Sequence, residues 1–159
     1  MWQGLYPPQR IFIGKRFRRV LLNPPNFNPG SWCGAGKLWI DEENEEYWLT
    51  SRPREGERKR GYAVEIYCSR NGENFNLRCS ITKEELSEIM GRTVQSIENQ
   101  QLLRDPLTDR YFLYLSVDVA GENIAGKADA IYESKWETYL MSSDDPSGPW
   151  RGEGFALRC

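Results

Sequence analysis

At 159 residues, 39% hydrophobic and 28% charged, the chain is long enough for one ordinary folded domain and too apolar to read as disordered. Its net charge of −2, with acids and bases interleaved, excludes the basic surplus that marks nucleic-acid binders. The absence of histidine, with four cysteines and no C-x-x-C pair, excludes ordinary zinc sites and Ser-His or Cys-His catalysis, so acid–base chemistry falls to carboxylates, Tyr or Lys.

The opening "MWQGLYPPQRIFIGKRFRRV" lacks the uninterrupted apolar core of a signal peptide, and no run approaches the roughly 18 apolar residues of a membrane span. No glycosylation sequon occurs. The expectation is a cytoplasmic protein with no membrane or nucleic-acid partner, no metal and no cofactor.

Strand-type runs dominate from the start. "RIFIG" (10 to 14) and "FRRVLLN" (17 to 23) lead into the Pro/Asn/Gly loop "NPPNFNPGS" (23 to 31). Next come "GKLWI" (36 to 40), "EYWLTSR" (46 to 52), "GYAVEIYCS" (61 to 69) and "FNLRCSI" (75 to 81). In the third of these Tyr62, Val64, Ile66 and Cys68 alternate with Ala63, Glu65 and Tyr67, the period of a strand. The basic cluster "RPREGERKR" (52 to 60) is diluted by Glu55 and Glu57 and reads as a solvated loop. A two-residue turn at Asn71-Gly72 would set Cys68 opposite Phe75 and Cys79 opposite Val64, so these two thiols miss each other; reduced, mostly buried cysteines are expected.

One helix signal interrupts at "TKEELSEIMG" (82 to 91), with Thr82 as N-cap, Glu85 completing a capping box and Gly91 as the stop. Strand runs then restart with "NQQLLR" (99 to 104), "RYFLYLSVD" (110 to 118), "SKWETYLMSS" (134 to 143) and "GEGFALRC" (152 to 159). Between the second and third lies the Gly/Ala-bearing loop 119 to 133.

The second set repeats the first. Sixty-four positions apart, Asp41 falls on Asp105, Tyr47 on Tyr111, Trp48 on Phe112 and Leu49 on Leu113. Two antiparallel four-stranded units at this period read as propeller blades, each of which must stack on a neighbour to bury both faces. A two-sheet sandwich from a duplicated meander is the alternative. The expected division is an N-terminal segment over 1–31, blade one over 32–81, a connector helix over 82–95 and blade two over 96–159. Two blades cannot close a propeller, so either a C-terminal portion is missing or copies self-associate.

The phrases "GAGKLWIDEENEEYWLTSRPR", "RGYAVEIYCSRNGENF", "SIENQQLLRDPLTDRYFLYLS" and "WETYLMSSDDPSGPW" resemble those of the five-bladed β-propeller glycosidases and phosphorylases, the grouping of glycoside hydrolase families 43, 32 and 130. The resemblance spans about residues 30 to 155. It implies an all-β propeller whose central pocket, at the start of the inner strands, binds or cleaves a glycoside between two carboxylates. It departs from the pattern in two places: blade one reads Cys33-Gly34-Ala35-Gly36, with no carboxylate, and Asn99 follows Glu98 where phosphorylase-type relatives carry Asp.

Glu98 is thereby the candidate catalytic or sugar-binding carboxylate, with a surface glutamate as the plain alternative. Arg52 and Arg54 are candidate grips for sugar hydroxyls, carboxylates or phosphate, with exposed loop arginines as theirs. Trp32 at the pocket mouth is a candidate stacking platform, and Asn99 and Gln100 complete the substrate-binding set. Two functions remain open: a glycosidase or glycoside phosphorylase, and a non-catalytic sugar-binding or assembly module. A blander third is a protein-interaction platform.

Overall fold

The structure, a computed structural model, describes residues 20–56, 59–120 and 134–158. The strand expected at 10–14, most of that at 17–23, the loop 121–133 and Cys159 lie outside the described residues. The order is β1 (Ser31–Asp41), β2 (Glu46–Glu55), β3 (Ala63–Ser69), β4 (Asn76–Thr82), α1 (Lys83–Met90), β5 (Val94–Arg104), β6 (Tyr111–Ala120), β7 (Ser134–Ser143) and β8 (Arg151–Arg158). The strands form two antiparallel meanders, β1-β2-β3-β4 and β5-β6-β7-β8.

The joints explain why the chain turns where it does. After β1, Asp41 Oδ1 accepts from the backbone N–H groups of Glu43 and Asn44, at 3.2 Å each. After β5, Asp105 accepts from the Leu107 N–H at 3.0 Å and the Thr108 hydroxyl at 2.6 Å. Both hairpins end on a left-handed residue, Glu45 (φ 56°) and Asp109 (φ 58°), again sixty-four positions apart. The third hairpins also match: Ser69 and Ser143 accept from the N–H two residues on, and Asn71 and Asp145 do the same. These are side-chain-to-backbone turns of Asx and Ser type. The duplication read in the sequence is thus a duplication of turn geometry.

The first of these third-hairpin turns is longer than two residues, because Asn71 Oδ1 also accepts from the Asn74 N–H at 2.9 Å. This shifts the expected register: Cys68 lies opposite Asn76, and Cys79 opposite Ile66. Cys33, Cys68 and Cys79 are free, with only Cys68 fully buried. The connector helix has the expected caps. Thr82 Oγ1 accepts from the Glu85 N–H at 3.1 Å, the Glu85 carboxylate accepts from the Thr82 N–H at 2.8 Å, and Gly91 ends the helix at φ 64°.

One core lies between the sheets. The first sheet contributes Trp48, Val64, Ile66, Cys68 and Ile81, and the second Ile97, Leu102, Leu113, Leu115, Val117 and Met141. Leu86 of α1 plugs the end. The two sheets do not meet by like faces. Trp48 points into the core, whereas Phe112, its mate in the repeat, points outward; Leu113 is fully buried in the core, while its mate Leu49 lies on the outer side of the first sheet. The front of the first sheet packs on the back of the second.

Candidate functional site

The pairing of β5 with β6 is interrupted between Val94 and Ser96 and again between Ile97 and Asn99. A bulge re-aims side chains, and here Glu98 leaves the ladder and meets Arg52 of β2. Arg52 Nη1 donates to Glu98 Oε2 and, at 3.3 Å, to the Ile97 carbonyl. Glu98 Oε1 accepts from Ser96 Oγ at 2.6 Å and from Arg60 Nη2 at 2.7 Å. Arg60 reaches on to Asp118, Nη1 to Oδ2 3.9 Å. An alternating chain results: Arg52, Glu98, Arg60, Asp118.

Trp32 forms the outer wall. The Arg52 guanidinium carbon lies 4.8 Å from its ring centroid, a cation–π stack, and the indole stays 39% exposed. The register places Gly34 directly opposite Arg52. A Cβ there would lie 2.8 Å from Trp32 and 3.2 Å from the Arg52 guanidinium. The first copy therefore carries glycine where the second carries Glu98, because Arg52 and Trp32 fill the space a side chain would need.

Burial pushes the Glu98 carboxyl upward, but the Ser96 hydroxyl and the Arg52 and Arg60 guanidinia outweigh it and hold it below the usual carboxylate range. Each oxygen has a donor, so Glu98 is an ionised acceptor near neutral pH.

The structure brings three of the residues named from sequence, Trp32, Arg52 and Glu98, into one cluster. Arg54 sits across from Trp32 in the β1–β2 ladder, with its Nε on the Gly56 carbonyl at 3.2 Å. Gln100 is buried and donates to the Gly34 carbonyl at 2.8 Å, which ties β5 to β1 rather than lining the cluster. Asn99 is exposed, its Oδ1 accepting from the Gln100 N–H at 2.9 Å. Sequence reasoning missed Ser96, Arg60 and Asp118. Arg60 was hidden in a charge run that reads as solvated loop, and the docking of Gly61 on β5 brings it here: the Ile97 N–H donates to the Gly61 carbonyl at 2.8 Å.

The described residues make an all-β protein of two four-stranded antiparallel sheets and one short helix, with a charged cluster where β2 and β5 meet. No described helix is long and apolar enough to cross a membrane. No protein-family model matches the sequence, and no curated protein matches it. Among solved structures, the chain is similar to one from Bifidobacterium bifidum s17 assigned as an exo-beta-1,3-galactanase, at 14% identity and a TM-score of 0.48. The match covers 76% of this chain and 36% of that one, so this chain spans about a third of that protein's length.

Proposed function

We propose that the junction of β1, β2 and β5 binds a carbohydrate, with Trp32 as the stacking platform and Glu98 and Arg60 as hydrogen-bonding partners. The observation that carries the reading is the joining of an exposed indole to an ionised carboxylate held between two guanidinia. A pyranose offers a C–H face to an indole and hydroxyls at its edge. Those hydroxyls can donate to Glu98 and accept from Arg60, whose side chain is 43% exposed. The sequence resemblance to propeller glycosidases and phosphorylases supports the same ligand class.

Binding fits better than acid catalysis. A general acid needs a proton near working pH, and Glu98 is held ionised by its three donors. A glycosidase or phosphorylase remains the second reading, favoured by one observation: Asp118 shares the Arg60 guanidinium with Glu98, which supplies a second carboxylate. Under either reading the sugar-contacting set is Trp32, Arg52, Glu98 and Arg60, with Arg54 and Asn99 beside it, while Gln100 serves to hold β5 on β1.

The test is a titration with a panel of neutral hexopyranosides and pentopyranosides, followed by tryptophan fluorescence and calorimetry. Saturable binding is expected, weakened about tenfold in Trp32→Ala for the loss of roughly 1.4 kcal/mol of stacking. Absence of saturable binding across the panel overturns the carbohydrate reading. Release of nitrophenol from aryl glycosides, abolished in both Glu98→Gln and Asp118→Asn, would place the enzyme reading first.

A further inference from the structure

Charge around Trp32 does not balance once Arg54 is counted. Along the chain of Arg52, Glu98, Arg60 and Asp118, two guanidinia meet two carboxylates. Arg54 stands outside that chain. Its Nε donates to the Gly56 carbonyl at 3.2 Å, and among the described residues no carboxylate pairs with it. The neighbouring Glu55 pairs instead with Lys59, at 3.3 Å, and strand alternation turns it to the opposite face.

The same alternation puts Arg54 on the face of β2 that carries Arg52, about 7 Å further along the strand. The ladder sets it directly across from Trp32. Its anchor is a fixed piece of backbone. The Gly56 N–H donates to the Gly30 carbonyl at 2.9 Å, both glycines are left-handed (φ 71° and 81°), and a Cβ on Gly30 would lie 3.0 Å from the Gly56 Cα. With Nε spent on a carbonyl so held, the two Nη groups keep the end-on edge of the guanidinium for a planar acceptor.

We infer that the ligand is an acidic sugar, a hexopyranosiduronate whose carboxylate is taken by the Arg54 guanidinium while its ring lies on Trp32. The inference rests on the carbohydrate reading and narrows it to one substrate class. The ring hydroxyls meet Glu98 and Arg60, whose charges offset each other, and the carboxylate meets the guanidinium that stands outside their pairing. Arginine suits this position because its planar fork grips a carboxylate through two parallel hydrogen bonds, which a lysine ammonium does not.

Calorimetry on the whole chain at pH 7 compares matched methyl hexopyranosides and methyl hexopyranosiduronates of the gluco and galacto series. The uronate is expected to bind about tenfold more tightly than its neutral partner, with the gap narrowing as salt is raised from about 0.02 to about 0.5 M. Arg54→Gln removes the charge and should cost the uronate about tenfold, erasing the preference. Arg54→Lys keeps the charge without the fork and should retain only part of the preference. Circular dichroism checks that both variants fold. Equal affinity for the two members of a pair in the wild type overturns the inference and leaves the carbohydrate reading standing, whereas saturable binding of neither overturns both. A preference that survives Arg54→Gln overturns the assignment to Arg54 and moves the carboxylate to Arg60. A hexose 6-phosphate held more tightly than the uronate overturns the carboxylate and makes the anion a phosphate.

Discussion

The buried side-chain amide of Gln100 donates to the backbone carbonyl of Gly34, 2.8 Å away, and so joins the edge strand of one sheet to the edge strand of the other. Two lines of backbone are drawn close at this seam. At Gly36 a Cβ would lie 2.1 Å from Thr50 Oγ1 and 2.7 Å from the Gln100 carbonyl. At Gly61 a Cβ would lie 1.8 Å from the Ile97 carbonyl. The glycines are there because β5 lies on backbone, and Gln100 fastens it in place.

Gln100→Ala removes that donor and leaves a cavity, so it should destabilise the fold by about 1–3 kcal/mol. Gly36→Ala should cost a similar ~1–3 kcal/mol by overpacking against a carbonyl that cannot retreat. Urea unfolding checks both: the midpoint should fall with the slope unchanged. An unaltered midpoint in Gln100→Ala would mean that the seam is held elsewhere.

The pH dependence turns on Glu98. Its folded carboxyl is held below its unperturbed value of 4.5, so the unfolded chain takes up this proton more readily than the folded one. The stability that Glu98 contributes is therefore fully present above 4.5 and is lost as pH falls through the lower folded value. Thermal melts from pH 7 downward should show Glu98→Gln less stable than wild type at neutral pH, with the gap closing below 4.5. A gap of constant size down to acid unfolding would show that the ionised carboxylate adds nothing.

Much of this fold was legible because its signals are local. Thr82, Glu85 and Gly91 announce the helix, and the Asp41/Asp105 correspondence announces two hairpins of one kind, through backbone groups only a few residues away. The β3–β4 register was misread because Asn71 caps two further N–H groups, which lengthens a turn that its dipeptide suggests is tight. The site was half legible. Glu98, Arg52 and Trp32 stood out as residue types, but Arg60 is brought in by a loop docking on β5, and Asp118 by a register set by two bulges. Neither leaves a periodic or compositional trace.

Thr50 tests the opposite kind of contribution. Its hydroxyl is fully buried in the face of the first sheet that meets β5 and has no hydrogen-bond partner. A buried orphan hydroxyl loses its hydration with nothing in return, whereas valine has the same shape and no such demand. Thr50→Val should therefore stabilise by about 1 kcal/mol, read as a raised urea midpoint. A loss of similar size would mean that the hydroxyl has a partner after all, with bridging water the first to look for in an experimental map.

The paired turns give a prediction in which two like positions should behave differently. Glu45 and Asp109 both adopt the left-handed conformation, at φ 56° and 58°. For an ordinary L-residue this conformation costs roughly 1–2 kcal/mol, and aspartate bears it better because its short polar side chain bonds locally. Glycine removes that cost but loses roughly 0.5–1 kcal/mol of chain entropy on folding. At Glu45 the balance favours glycine, and Glu45→Gly should stabilise by about 0.5–1 kcal/mol. At Asp109 the conformational gain is smaller, and the substitution also removes the carboxylate that accepts from Arg104 Nη2 at 3.1 Å. That pair is exposed on the aspartate side and so contributes only about 0.2–1 kcal/mol, enough to cancel what glycine returns. Asp109→Gly should be neutral or slightly destabilising, and thermal melts of the two variants side by side decide it. Equal gains at both sites would mean that the backbone alone governs these turns and that the Arg104 pair is idle.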